Sequence, residues 1–450
     1  MAIQLNDHFT YKKLFKAVIP SVLMMVFISI YSIVDGLFVS NVVGDTAFAS
    51  LNLVYPVLMI VGAIGFMIGA GGSALVSKTL GEGDKKKANE YFSMFVCLTL
   101  ILGVIVSTIL YILTPRLTLI LGAEPDMVEY CIDYARVCLI FQTSFIVQNT
   151  FQSFFVTAEK PHLGLFLSLA SGICNIVLDA LFIVVFDLGI KGAALATGIS
   201  QTIGAVVPIF YFLFKKDLII KLVKPVFRIR PIIQGCLNGI SELVTNISAS
   251  IVGIVYNYQL LKFAGQDGVS SYGVILYCQF IFLAIYFGYS MGTAPIIGFN
   301  YGANNKKELQ NIFKKSLRII GGVGIFLLIF SELLARPLSM IFVSYNEALL
   351  DMTIRGFRIY AISFIICGFN IYSSAFFTAL NNGIVSLVLS IGRTFVFQLI
   401  AVILLPLMFE LDGIWLSIIA SELLALLTTI IFFIVMNKKY NYYGKLKEDY

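Results

Sequence analysis

The sequence predicts an all-α membrane protein: twelve transmembrane helices in two six-helix lobes related by pseudo-twofold symmetry along the membrane normal. Three observations carry this reading: the composition, the recurrence of apolar stretches long enough to span a bilayer, and an internal repeat of 221 residues. Of 450 residues, 59% are hydrophobic, 14% aromatic and only 12% charged. Soluble domains are about one quarter charged, so half that share cannot coat a water-facing surface of this size. A disordered chain, a secreted disulfide scaffold and a nucleic-acid binder are excluded on the same ground. The formal charge of +6 describes topology, because the basic residues sort by side.

A spanning helix needs about 20 mostly apolar residues. Such stretches cover 14–39, 50–77, 91–114, 132–158, 163–186, 192–214, 232–261, 270–299, 316–334, 357–380, 384–408 and 412–436. Links as short as Asp187 to Lys191 or Glu410 to Asp412 force neighbouring helices into antiparallel hairpins. With both termini cytoplasmic, the inner segments and inner span ends hold 23 of the 31 Lys and Arg, the outer segments and outer span ends hold 7, and Arg393 lies deep inside a span. That asymmetry sets the orientation. The inner clusters, Lys12 to Lys16, Lys78 to Lys87, Lys215 to Arg230, Lys306 to Arg318 and Lys438 to Lys447, read as loops facing water and lipid headgroups. The apolar run after Lys16 continues to about Val39 without a small-residue cleavage site, so it reads as a retained span, not a signal peptide.

The seven cysteines show no ligand spacing and read as packing residues, and His8 and His162 are the only histidines. Lys78 and Thr79 follow Ser77 where a phosphate loop needs glycine. HExxH-type metal chemistry and direct ATP hydrolysis are therefore not expected, and neither is an enzyme.

Displaced by 221 positions, the first six spans superimpose on the last six almost without gaps. Gly44 falls on Gly265, Gly71 on Gly292 and Gly81 on Gly302. Asn149, Ser153, Phe155, Thr157 and Ala158 fall on Asn370, Ser374, Phe376, Thr378 and Ala379. An even number of spans per copy sends both copies into the membrane from the same side, which puts the symmetry axis along the normal. The expected lobes are residues 1–220 and 221–450, joined by the basic linker. Two lobes around a cleft suit alternating access, and no filter-like loop or ring of charges marks a channel.

An acidic residue at the bilayer centre costs about 2.5–3.5 kcal/mol, so intramembrane carboxylates are functional candidates. Asp35, Asp179, Glu242 and Glu422 qualify. At ~1.5 Å per residue from the inner ends of their spans, Asp35 and Asp179 lie level, ~22–24 Å outward. Asn175 stands one turn before Asp179 and shares its face, while Asn149 and Thr197 supply further oxygens at suitable depth. No Lys or Arg is expected at that level in the first lobe to pair with either acid. The acids must then take a proton, or be neutralised by a sodium ion held by hard oxygen ligands such as those of Asp35, Asn175 and Asp179. The repeat places Tyr256, Val396, Ile400 and Ile418 opposite Asp35, Asn175, Asp179 and Thr197, so the site exists in one lobe only. This asymmetry favours a coupling-ion role over a carboxyl that merely caps a local hydrogen bond. Glu242 and Arg393 lie ten and nine residues from the inner ends of their spans. They either form a buried ion pair or leave Glu242 free to act in transport.

The candidate substrate cavity comprises Met24, Tyr31, Tyr55, Met59, Gln148, Gln152, Glu242 and Tyr256, with Met25, Phe27 and Tyr258 nearby. Methionine and aromatic stripes commonly pack helices, yet flexible thioethers and π faces together suit varied lipophilic cations. Gly69 to Gly72 permit close helix approach, and Trp415 reads as an outer-interface anchor.

IPSVLMM (Ile19 to Met25), VDGLFVS (Val34 to Ser40), GAGGSALVSKTLGEGDKKKA (Gly69 to Ala88), TAEKP (Thr157 to Pro161), NIVLDALFI (Asn175 to Ile183) and LGIKGAALATGISQ (Leu188 to Gln201) together resemble the multidrug and toxic compound extrusion (MATE) family. The similarity covers essentially the whole chain, and the opening region is most similar to the MepA-like branch. The resemblance implies a secondary active antiporter of the cell membrane that exports lipophilic organic cations in exchange for H⁺ or Na⁺ and uses no other cofactor. It implies coupling roles for Asp35, Asn175, Asp179 and Thr197, with Asn149 a looser match, and aligns Glu242 with the span-7 acid of the NorM-like branch. That branch carries an aspartate in span 10, where this chain has Asn370. The partners expected are small organic cations and the bilayer, without nucleic acid, and the chain is expected to be a monomer. A flippase or exporter of lipid-linked saccharide precursors is the second reading, and its anionic cargo calls for several Arg or Lys in the cleft. A passive channel or membrane scaffold needs no titratable site in one lobe.

Overall fold

The structure, a computed structural model, describes residues 4–444 apart from 39–41, 44, 216 and 345. Gly44 of the repeat, Val39 and Ser40 of the first motif, Lys216 of the linker, and Lys445 and Lys447 of the last basic cluster lie outside the described residues. The first half forms α1 (Tyr11–Phe38), α2 (Asp45–Gly81), α3 (Lys85–Ile120), α4 (Pro125–Thr157), α5 (Pro161–Asp179) with a π-helical continuation (Ala180–Val185), and α6 (Gly189–Phe214). The second half forms α7 (Ile229–Gly302), α8 (Lys306–Val343), α9 (Glu347–Ala361), α10 (Phe364–Ala379), α11 (Gly383–Ile391), a π segment (Gly392–Val396), α12 (Phe397–Leu404) and α13 (Pro406–Tyr440).

Twelve spans emerge from thirteen helices for identifiable reasons. Gly265, at φ 61° and ψ −150°, breaks α7 into two arms, 229–264 and 266–302, in a conformation open essentially to glycine alone. Helices α9 and α10 meet at 49° and make one bent span. The π segment joins α11 and α12 into another, and α13 starts with a tight turn at Glu410, φ 49°. Most helices outrun their predicted apolar cores by a turn or more, because capped, charged ends carry them past the bilayer. Asp84 accepts from the Lys87 amide at the start of α3, and its repeat mate Asn305 accepts from the Glu308 amide at the start of α8.

The lobes α1–α6 and α7–α13 have cores that repeat as well. Phe92, Phe155 and Phe212 pack together in the N-lobe, and their counterparts Phe313, Phe376 and Phe433 pack together in the C-lobe. The lobes meet where glycines remove the side chain. A Cβ on Gly71 would lie 1.9 Å from the Gly235 carbonyl oxygen, and one on Gly239 would lie 1.9 Å from that of Met67. Nearer the termini, a Cβ on Gly81 would lie 2.0 Å from the Phe299 carbonyl oxygen and one on Gly302 would lie 2.0 Å from that of Lys78. Each of the last two contacts is the other displaced by 221 residues, so the symmetry axis passes between them. The contacts run along the half of the bundle that carries the basic loops, and the lobes are closed together on that side.

A strap reinforces the closure. Residues 4–10 cross from one lobe to the other before α1 begins. The Leu5 amide donates to Glu159 between α4 and α5 at 2.7 Å. The Phe9 amide and His8 Nδ1 reach Glu308 of α8 at 2.9 and 2.7 Å. The Phe9 carbonyl accepts from Asn311 at 3.0 Å and from Lys315. Burial pushes the Glu159 carboxyl up, and the Leu5 amide acts against that shift by holding the charged form.

Replacing Gly302 with Val inserts atoms where the Lys78 carbonyl stands. Overpacking of this kind costs about 1–3 kcal/mol. The expected outcome is a lower thermal unfolding midpoint together with faster maleimide labelling of Cys236, the half-buried thiol beside Gly235. An unchanged labelling rate in the folded variant would show that this contact does not hold the lobes closed.

Candidate functional site: a carboxyl pair in the N-lobe

The site is built from a missing side chain. Gly172 of α5 leaves room for the Phe27 and Tyr31 rings of α1, whose nearest atoms would lie 2.6 and 3.0 Å from a Cβ placed there. Both helices run in the same direction, so the next turns stay level. Asp35 lies one turn beyond Tyr31, and Asp179 lies two turns beyond Gly172. Their carboxyls face closely enough to hydrogen-bond to each other.

Asp179 is fully buried, and neither of its oxygens, nor Asp35 Oδ1, has a hydrogen-bond donor among the described residues. Two charged carboxylates cannot rest that way. At ~4 Å and an effective dielectric constant of about 20, their repulsion is about 4 kcal/mol, before the cost of burying either charge. One proton shared between them, or one small cation, removes both penalties.

Asn175 Nδ2 lies 3.4 Å from Thr197 Oγ1, and the buried Asn175 Oδ1 is left without a donor, free to accept from a protonated carboxyl or to coordinate a cation. The expected group of Asp35, Asp179, Asn175 and Thr197 therefore stands along α1, α5 and α6. Asn149 is elsewhere: its amide donates to the Gly62 carbonyl of α2 at 3.3 Å and its oxygen accepts from Gln152 at 3.4 Å. Tyr31, Tyr55, Tyr134 and Cys138 stand within electrostatic range of Asp35. Tyr134 and Cys138 were not expected from the sequence. Counting depth along α4 as along α1 and α5 brings them to this level, and with them Arg136, which corrects the expectation of no Arg or Lys there; Arg136 stacks on the Tyr111 ring at 5.4 Å and not on either acid, a rotational choice that needs the packed bundle.

The cavity candidates separate. Tyr31, Tyr55 and Met59 are exposed or half-buried. Met24 is buried as packing, and Gln148 and Gln152 are buried within the N-lobe, Gln148 against Gly204 of α6. Tyr256 is also buried, with its hydroxyl 2.7 Å from Ser417 of its own lobe. Glu242 is half-buried and lies one turn beyond Gly239, just past the closed interface.

The Glu242–Arg393 ion pair does not form. Arg393 Nε instead donates to both carboxylate oxygens of Glu422, at 2.9 and 3.1 Å, and Asn370 Nδ2 adds a bond to Glu422 at 2.7 Å. Matching depth was sufficient to nominate Glu242, but the π segment holding Arg393 places an extra residue in a turn and rotates its side chain toward α13. Glu242 is left without a charged partner among the described residues. Trp415 is likewise not an interface anchor: it is buried in the C-lobe against Gly356 and Tyr272.

The MatE family profile matches residues 20–181 and, a second time, residues 243–404. The chain belongs to the MatE family. This is a family of transporters, not enzymes. The chain is 25% identical over 420 residues to the multidrug export protein MepA of Staphylococcus saprophyticus, covering 91% of this chain and 90% of that one. It is 25% identical over 453 residues to MepA of Staphylococcus aureus, covering 96% of each. In fold it is similar to a MATE protein crystallised in complex with MaL6, with TM-score 0.90, 23% identity and coverage of 96% and 97%. It is equally similar to an outward-facing multidrug resistance MATE family transporter, with TM-score 0.90, 24% identity and coverage of 98% of each chain.

Gly172→Leu should separate the acids by pushing α1 off α5. We expect gradient-driven transport to fall at least tenfold in a protein that still inserts and folds, measured by flux in proteoliposomes. Wild-type flux in the folded variant would show that the α1–α5 approach does not position the pair.

Proposed function

We propose that the chain is a secondary active multidrug efflux antiporter that exports lipophilic organic cations in exchange for H⁺ or Na⁺. The observation that carries this reading is the carboxyl pair of Asp35 and Asp179, three of whose four oxygens lack a donor among the described residues. Such a pair takes up one positive charge and releases it when its surroundings change, which is what coupling requires. Asn175 and Thr197 supply the adjoining oxygens. Tyr31, Tyr55, Met59 and the unpaired Glu242 offer an incoming cation π faces, a thioether and a carboxylate.

The cleft lies between lobes closed on the side of the termini, the side we read as cytoplasmic from the distribution of Lys and Arg. Ion uptake by the N-lobe pair from the opposite side then alternates with cargo release from the cleft. Lobes meeting at residue 220 move as the two bodies of this exchange, in a monomer in the plasma membrane. One charge moving through 100 mV supplies about 2.3 kcal/mol, and 1.4 kcal/mol is a tenfold ratio, so a single coupled charge sustains a cargo gradient of roughly fortyfold. The MepA relatives, named as multidrug export proteins, support the cargo class. Export of an anionic lipid-linked saccharide is disfavoured because Arg393, the basic residue midway along a span, is already paired with Glu422.

Efflux of a fluorescent lipophilic cation from proteoliposomes under an imposed pH or sodium gradient tests the reading. Asp35→Asn and Asp179→Asn are each expected to lower gradient-driven efflux at least tenfold while dye binding persists. Efflux at the wild-type rate in both variants would remove the pair from the mechanism.

A further inference from the structure

We propose that the C-lobe contains a second small-cation site, formed by Glu422, Asn370 and Thr429, whose permanent occupant is the guanidinium of Arg393. Glu422 is only 1% exposed. Its Oε1 and Oε2 accept from Arg393 Nε at 2.9 and 3.1 Å, and Oε2 also accepts from Asn370 Nδ2 at 2.7 Å. Asn370 Oδ1 accepts from Thr429 at 3.0 Å, and Thr429 lies 3.1 Å from Ser373 Oγ. A carboxylate, an amide and a hydroxyl thus line up from α10 and α13, the Asn370 amide turning its Nδ2 to Glu422 and its Oδ1 to Thr429. The N-lobe assembles the same donor types from Asp179, Asn175 and Thr197. Without the guanidinium this would be a buried anionic pocket that takes a proton on Glu422, or sodium once the Asn370 amide turns its oxygen to the carboxylate, the chemistry of hard oxygen ligands.

The repeat explains how an arginine fits. Arg393 occupies the position equivalent to Gly172, where Phe27 and Tyr31 of α1 fill the space left by the glycine. The residues of α7 equivalent to Phe27 and Tyr31 are Ser248 and Val252, both smaller. Bulk removed from the first helix of the C-lobe is therefore returned as a long cationic side chain on the fifth. The consequence is a division of labour. The N-lobe meets its buried negative charge with an ion that comes and goes, and the C-lobe meets its own with one tethered to the chain. The C-lobe site then exchanges no ion during transport.

The test counts cations on the full-length protein in lipid nanodiscs. Radioactive sodium binding and proton uptake between about pH 7.5 and 5.5 are read separately. Asp35→Asn/Asp179→Asn should abolish exchangeable cation binding. Adding Arg393→Met should restore saturable sodium or proton binding at least tenfold above that background, and adding Glu422→Gln should remove it again. No restored binding in a variant that elutes as a single folded species would overturn the proposal. So would residual binding in Asp35→Asn/Asp179→Asn that Glu422→Gln abolishes, since the site would then be open in the native chain.

If Arg393→Met proves unstable, its thermal midpoint with added sodium or methylguanidinium, against choline at equal strength, reads the same site. Specific stabilisation that vanishes in Arg393→Met/Glu422→Gln is expected, and its absence counts against the proposal. Wild-type protein with no cation binding removable by Asp35→Asn/Asp179→Asn would sink the coupling reading instead, leaving the Arg393 arms to decide the C-lobe.

Discussion

Two carboxyl groups held against each other inside a helical bundle, with three of their four oxygens lacking a donor among the described residues, form an arrangement that cannot stand with both charges present. Much of the surrounding architecture serves to create that condition. Gly172 lets α1 approach α5, the parallel run of the two helices keeps the next turns level, and the π continuation after Asp179 ends the regular helix at the acid. A bundle that merely needed stability would place apolar side chains here, as the C-lobe does at the positions of Asp179 and Asn175 with Ile400 and Val396.

The repeat gives the molecule its frame, and departures from it give the molecule its chemistry. Glycine contacts, helix caps and the phenylalanine clusters recur in both halves because they build a lobe and join it to its twin. Asp35 and Tyr256, Gly172 and Arg393, Gln201 and Glu422 occupy equivalent positions with opposite chemical meaning. In one lobe the charge problem is left open, and in the other it is closed by an internal ion pair. Breaking such a pair strands a buried charge, whereas replacing both partners with neutral groups is far milder.

Closure between the lobes combines backbone contact at the glycines and hydrogen bonds with an apolar core that runs continuously from one lobe into the other. The glycines bring main chains together without side chains to interdigitate, and the strap at Leu5 to Phe9 holds both lobes through Glu159 and Glu308.

The twelve spans, their pairing into two lobes, the equal depth of Asp35 and Asp179, and the confinement of that pair to one lobe were all readable from residue order. Apolar length, charge distribution and rise per residue are local quantities, and the repeat supplied an internal comparison. Rotation about each helix axis was not readable, since it accumulates along the helix and is reset by π segments and by packing. That is why depth suggested Glu242 for Arg393 when the bundle pairs it with Glu422, why Trp415 faces the core, and why Tyr134 and Cys138 reach Asp35 unannounced. The linear chain determined what charges exist and how deep they lie; three-dimensional packing alone decided which of them meet, because partners are chosen by azimuth and contact.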